Sequence, residues 1–238
     1  MKFGKICDIR LNDSSSWEKS VFLTFDIDWC SDFVLSSTLD LIENYDISAT
    51  FFVTHHTTLL ERMRENPKIE LGIHPNFNPL LEGDFRYGKN AREVVEYYMN
   101  IVPDAVSVRS HSMTQNSRLL DIFSEFDLKY DCNHFIPYNS GIVLRPWRHW
   151  NNKLLKVPYF WEDDVHCLYK DKWDRAKIIN VNGLKVFDFH PIHIYLNTFD
   201  LENYKKSKAY MNDSTSLKKY VSEKSLGSRM ILEDLIKG

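Results

Sequence analysis

The four cysteines, Cys7, Cys30, Cys132 and Cys167, stand far apart, and no Cys-x-x-Cys pair occurs in the 238 residues. That excludes a zinc ribbon and a dithiol redox motif, and leaves reduced packing thiols as the default. Glycine and proline are sparse, eight of each. With no Pro/Ser-rich or low-complexity stretch either, nothing marks a linker, and one domain spanning 1–238 is expected. An excess of one charge is also missing. A formal net charge of -3 leaves no electrostatic footprint for nucleic acid. The most basic cluster, Lys205-Lys206-Ser207-Lys208, reads as a solvated helix face. No apolar run is long enough to span a bilayer, and no N-terminal stretch has the charged, apolar and small-residue order of a signal peptide. A soluble, cytoplasmic protein is the expectation. Nothing in the sequence speaks to oligomeric state.

What the chain does have is apolar residues, 43% of the total, enough for a substantial core. They fall into strand-like runs at 21–25, 49–53, 69–74, 105–109, 128–131, 154–160 and 185–190. Helical spacing lies between several of these, from a cap at Ser31 or Asp32 to Tyr45, and around 90–101 and 116–126. Alternation of this kind predicts parallel β-α-β units, an α/β fold. Residues 133–152 and 160–175 read as long loops, rich in aromatic and polar residues. One or two helices are expected over about 201–236, with Asp213-Ser214 as a cap.

Chemistry gathers at the strand ends. Val21-Phe22-Leu23-Thr24-Phe25 runs into Asp26-Ile27-Asp28; in a continuing strand the two carboxylates share a face, roughly 7 Å apart. The run 69–73 ends at His74-Pro75-Asn76-Phe77-Asn78, where a helical turn begun at Pro75 would bring His74 and Asn78 to one side. Val106-Ser107-Val108 leads to Arg109-Ser110-His111, and Val186-Phe187-Asp188-Phe189 to His190-Pro191-Ile192-His193. Four apolar strands ending in Asp, His or Arg match a barrel whose C-terminal rim is an active site. Each residue alone also has a structural reading: a capped loop for the Asp pair, a satisfied strand-end histidine for His74, an ion-pair partner for Arg109, a loop cap for His193.

In their order along about 20–195, these motifs resemble the polysaccharide deacetylase family, the carbohydrate esterases with a NodB homology domain, in an Asp-x-Asp branch. The family order is a Thr-Phe-Asp-Asp strand end, a His-x-x-x-His segment, an Arg-containing strand end, an Asp/Trp segment and a late Leu/Phe-x-His. The counterparts here are Thr24 to Asp28, His74 to Asn78, Arg109-Ser110-His111, Trp161-Glu162-Asp163-Asp164 and Phe189-His190. The resemblance implies a distorted (β/α) barrel and a metal-dependent hydrolase that removes an acetyl or other N-acyl group from an amino sugar or polysaccharide precursor. It implies Asp26 as catalytic base, Arg109 as the residue orienting it, His190 as general acid, and Asp28, His74 and Asn78 as ligands of a divalent metal, zinc before manganese, cobalt or nickel. Asn78 stands where the family has a second histidine, a weaker ligand for zinc. His111, Trp161, Asp163, Asp164 and His193 are candidates for the substrate pocket, and a backbone N–H after Arg109 is a candidate oxyanion donor.

Two other classes compete. A catalytically silent carbohydrate-binding relative would account for Asn78 and for the aromatic loops holding Trp147, Trp150, Tyr159, Phe160 and Trp161. An Asp-x-Asp glycosyltransferase would use Asp26-Ile27-Asp28 to hold a metal on a nucleotide-sugar diphosphate. No glycine-rich turn or basic cradle accompanies the pair, and His74 and the late histidine go unused in that scheme.

Overall fold

Four of the six residues from Val21 to Asp26 are apolar, and the strand they belong to, Ser20–Asp26, is buried throughout. In the computed structural model, which describes residues 1–170, 172–223 and 226–237, this strand is central to a ten-stranded sheet. The strands are β1 (Lys2–Gly4), β2 (Ser20–Asp26), β3 (Ala49–Val53), β4 (Ile69–Ile73), β5 (Ser107–Val108), β6 (Tyr130–Asp131), β7 (Trp147–Arg148), β8 (Leu155–Lys156), β9 (Trp161–Glu162) and β10 (Lys185–Phe189). Their order is β7-β8-β6-β5-β4-β3-β2-β10-β9, with β1 beside the start of β2. Every pairing is parallel except β7 with β8. Parallel neighbours need crossovers, and helices such as 32–44, 91–101 and 117–125 supply them.

Alternation along β2 sorts its two faces. Phe25 stacks on Phe51 of β3 at 4.6 Å and on Phe189 of β10 at 6.0 Å, a ladder of aromatic cross-strand neighbours. Thr24 and Asp26, one residue to either side, both meet Arg109 instead. At these two positions, towards the C-terminal end of the strand, the face opposite Phe25 is thus polar, and both side chains gather on Arg109.

One extended segment closes the curl of the sheet. Residues 155–156 pair with β6, residues 161–162 pair with β10, and the backbone between them bonds to both ends, Val157 N–H to Asp131 O at 2.8 Å and Phe160 N–H to Val186 O at 3.1 Å. This is the distorted barrel of the polysaccharide deacetylase type expected from the sequence.

Several boundaries differ from the sequence reading. The stretch 160–175 is not a loop: β9 and a helix at Asp163–Tyr169 occupy most of it. Among the described residues the tail holds three α-helices, 201–207, 214–217 and 228–237, with 3-10 turns at 208–210 and 218–220 following the first two, and Asp213 accepts from the N–H groups of Thr215 and Ser216. Among the described residues, no helix is long and apolar enough to cross a membrane.

Candidate active site

All the strand-end residues emerge at the C-terminal edge of the parallel strands. Strand β2 stops at Asp26, and the chain then turns through Asp28 and Trp29, which have left-handed backbone angles, φ 34° and 52°. Asp26 and Asp28 therefore reach one pocket through a tight turn, not through strand alternation. Side-chain-bearing residues hold such angles only where the surroundings impose them, and such strain collects at functional sites. Here Trp29 N–H donates to Thr54 Oγ1 at 3.0 Å, and the indole packs edge-on against His111.

Asp28 Oδ1 lies 3.3 Å from His74 Nε2 and 3.3 Å from His111 Nδ1, and the two nitrogens are 3.3 Å from each other. Asp28 Oδ1 is buried, and among the described residues nothing hydrogen-bonds to it in good geometry. Three ligand atoms on a tetrahedron with bonds of about 2.0–2.1 Å stand about 3.3–3.4 Å apart. The set has the spacing and the donor chemistry of a small divalent cation site. Burial by itself would raise Asp28, but His111, His74 and His190 around it hold its carboxyl well below the usual range. The same pairing raises His111 against its own burial.

Asn78 stands elsewhere. The residues after His74 do not form a helical turn; the helix begins only at Asn78, after Phe77, because Asn76 Oδ1 takes the Asn78 N–H in a local turn. The Asn78 amide donates to Ser112 Oγ at 3.2 Å, and the residue does not line the cavity that Asp28, His74 and His111 share.

Beside the triad, Asp26 accepts from Arg109 Nη1 at 3.0 Å and lies 3.5 Å from His74 Nδ1. Arg109 is 1% exposed, sandwiched between the rings of Phe52 and Tyr159, and shared with a second carboxylate, Asp188. Asp188 also accepts from Thr24 Oγ1 at 3.0 Å; burial, with Asp26 close by, pushes it up to about 8. His190 closes the other flank, its Nε2 3.7 Å from Asp28 Oδ2. Its Nδ1 meets Asp163 Oδ1 at 2.8 Å, and its backbone N–H donates to Asp163 Oδ2 at 3.0 Å. Burial opposes the imidazolium, yet the Asp163 carboxylate, with Asp28 and Asp188 behind it, outweighs burial, and His190 stands well above its ordinary value.

Asp163 is fully buried, so it is a partner of His190 and not part of an exposed acidic loop. Asp164 lines the cavity; Trp161 and His193 do not. Trp161 packs against Phe187 and Phe189, and His193 bonds to Thr198 Oγ1 at 3.1 Å, with burial lowering its pKa. The N–H groups of Ser110 and His111 are taken by Asn133 Oδ1 and Pro75 O, at 2.7 and 2.9 Å, which removes both as oxyanion donors.

A family model described as "WbmS-like: Polysaccharide deacetylase" matches residues 23–208. The chain belongs to the WbmS-like polysaccharide deacetylase family. A solved Bordetella bronchiseptica protein, WbmS, described as a candidate polysaccharide deacetylase involved in O-antigen biosynthesis, is 46% identical over 99% of this chain and 97% of its own, with a TM-score of 0.94. A candidate polysaccharide deacetylase of Mycobacterium smegmatis follows at 15% identity, covering 80% of this chain and 81% of its own, TM-score 0.49. The family 4 carbohydrate esterase of Streptomyces lividans is at 13%, 74% and 80%, TM-score 0.46. At those two TM-scores the likeness carries no argument about function. No curated protein matches the chain.

Within this WbmS-like chain, two site residues escaped the sequence reading. Asp188 had a signal, a lone carboxylate inside the apolar run Val186 to Phe189, since a buried charge demands a partner. Glu162 had none: its place on the cavity wall follows from the two-residue strand β9.

Proposed function

We propose that the protein is a zinc-dependent N-deacetylase acting on an acylated amino sugar of a surface polysaccharide under construction, the setting named for its Bordetella relative. The observation that carries this reading is the triangle of Asp28, His74 and His111 ligand atoms flanked by a carboxylate, Asp26, and an imidazole, His190, on separate strand ends. His111 takes the place that spacing alone would give to Asn78. When bound, a divalent ion on these three residues lowers the pKa of water toward neutrality and polarises an acyl carbonyl.

The chain's own residues supply the proton transfers. Asp26, held by Arg109, accepts the proton of the attacking water. His190, kept protonated by Asp163, delivers its proton to the amide nitrogen as the C–N bond breaks, so that a carboxylate and a free amine leave. Amines are poor leaving groups unless protonated, which is why a raised histidine is the useful acid here.

Metal content and acetate release test this together. Purified protein should hold one equivalent of zinc. Loss of even an outer partner of a ligand typically costs 10–100-fold in metal affinity, so His111→Ala is expected to lose more than about 100-fold. Asn78→Ala should keep the metal within a few-fold; the reverse pattern would return the third position to Asn78. Asp26→Asn should lower kcat for acetate release by roughly 10²–10⁴-fold at unchanged metal content, and near-wild-type turnover by that variant on every cleaved substrate would remove Asp26 as the base.

A further inference from the structure

Between Asp131 and Glu162 the sequence runs without an acid: residues 132–161 hold no Asp or Glu, although the whole chain has 33 of them against 30 Lys and Arg. Arg145, Arg148, Lys153 and Lys156 all fall in that stretch. Lys156 is buried on Asp131, but the other three make no ion pair among the described residues; Arg148 reaches only the Asn152 carbonyl, at 3.2 Å. The most basic run of the sequence differs in this respect, since Lys205 is paired with Glu202 and Lys208 lies over the Tyr204 ring.

The same stretch carries the exposed tryptophans. Of the six in the chain, Trp147 and Trp150 stand exposed, Trp150 at 76%, and Ile142 and Val143 are exposed a few residues before them. The segment is nevertheless anchored. Leu144, Pro146 and His149 are buried, Leu184 N–H donates to Leu144 O and His149 N–H to Leu154 O, each at 2.9 Å, and the His149 ring packs on Trp150 at 3.8 Å. Trp147 and Arg148 form β7, the edge strand at one end of the sheet, paired on one side only, with β8. Large apolar side chains held out from an anchored edge mark a contact surface. Val143 and Arg145 also line a cavity of about 500 Å³ with Lys19 and Lys185, where Glu18 is the single acid among the described residues.

We propose that residues 142–153 dock the protein on a membrane surface that carries anionic lipid. Charge complementarity and side-chain type select this occupant: indoles settle at headgroup depth, Ile142 and Val143 reach the acyl boundary, and the unpaired cations meet lipid phosphate. The attachment is peripheral, since no helix among the described residues is long and apolar enough to cross a membrane. A second copy fits worse. A two-fold pair of β7 edges would set the same unpaired cations against each other. A nucleic acid would use the arginines and indoles but has no place for the two aliphatic tips. The proposal needs nothing from the deacetylase reading.

Vesicle flotation of the full chain tests it, with phosphatidylcholine vesicles and with phosphatidylcholine–phosphatidylglycerol mixtures, tryptophan emission being followed in parallel. The protein should float with the mixed vesicles and much less with the neutral ones, and its emission should shift to the blue on binding. Arg145→Gln with Arg148→Gln should weaken binding at least about tenfold, each cation near an anionic surface counting for about fivefold. Trp150→Ala should weaken binding and remove most of the blue shift. Lys206→Gln with Lys208→Gln deletes the same charge from the most basic run and should leave binding unchanged. Urea midpoints equal to that of the wild type show that each variant is folded; a variant that fails this check is replaced by Trp150→Ser or Arg148→Gln alone. No binding to the mixed vesicles, binding that survives all substitutions in 142–153, or an equal loss in the Lys206/Lys208 variant would each overturn the proposal. Self-association abolished by Trp150→Ala, without vesicle binding, would give the surface to a second copy and overturn it as well.

Discussion

At the scale of single residues, the most informative contact is between Asp163 and His190. Burial drives an imidazole toward its neutral form, and His190 stays charged because the Asp163 carboxylate is against its Nδ1. A group whose pKa is raised on folding is fully protonated below its ordinary value of about 6.5 and loses its proton only well above it. Deacetylation that needs the imidazolium should therefore persist above pH 6.5 and fall on the alkaline side. Asp163→Asn leaves burial opposed only by the more distant carboxylates. The alkaline limb of kcat should move to lower pH by about 1–3 pH units, the range a close opposite charge commands. A kcat profile whose alkaline limb does not move would show that another group sets it. None of this was legible in the acidic string Glu162-Asp163-Asp164, where a solvated loop was an equal account. Asn78 illustrates the same limit: local spacing ranks a residue four positions away, whereas the imidazole that meets His74 comes from another strand end, 37 positions on.

Elements carry the next level of control. Strands β6 and β8 are two residues each, and a buried ion pair between Asp131 and Lys156, 0% and 3% exposed, joins them. The other Asp131 oxygen takes the Asn133 N–H and side-chain amide at 3.1 and 2.6 Å, and Asn133 Oδ1 in turn holds Ser110 N–H. One carboxylate thus ties the barrel wall to the turn between Arg109 and His111. Lys156→Met removes the cation and leaves Asp131 charged and enclosed, a change expected to cost about 3–5 kcal/mol in urea unfolding. Adding Asp131→Asn should recover much of that stability, but not the turn. A Lys156→Met loss below about 1 kcal/mol would show that the pair is not holding the wall. The longer strands β2, β3, β4 and β10 were legible because each runs five or seven residues with at least three large apolar or alanine positions, too short for a helix and too apolar for a loop. Two-residue strands fall below any period, and the helix at 163–169 offered only its acidic first turn, a weak start signal without a preceding cap.

For the molecule as a whole, the sheet's two ends must meet, and a pair of glycines separates that requirement from local backbone preference. Gly183, just before β10, has φ 91° and bridges to Leu144; Leu184 N–H donates to Leu144 O at 2.9 Å. A Cβ on Gly183 would lie 2.3 Å from that same carbonyl oxygen and 3.0 Å from Val143 Cγ1. Gly141 has a similar angle, φ 77°, with nothing within 4 Å of its would-be Cβ. Gly141→Ala therefore meets only backbone strain, about 1 kcal/mol. Gly183→Ala meets strain and a collision with the segment that joins the loop after β6 to β10, and should cost at least about 2 kcal/mol more. In urea, the Gly183 variant should unfold at a clearly lower midpoint than the Gly141 variant. An unchanged slope would mean that the closed barrel still unfolds as one unit; a lower slope would mean that the sheet has already parted before the transition. Equal midpoints for the two variants would show that the Leu144 bridge contributes nothing to closure.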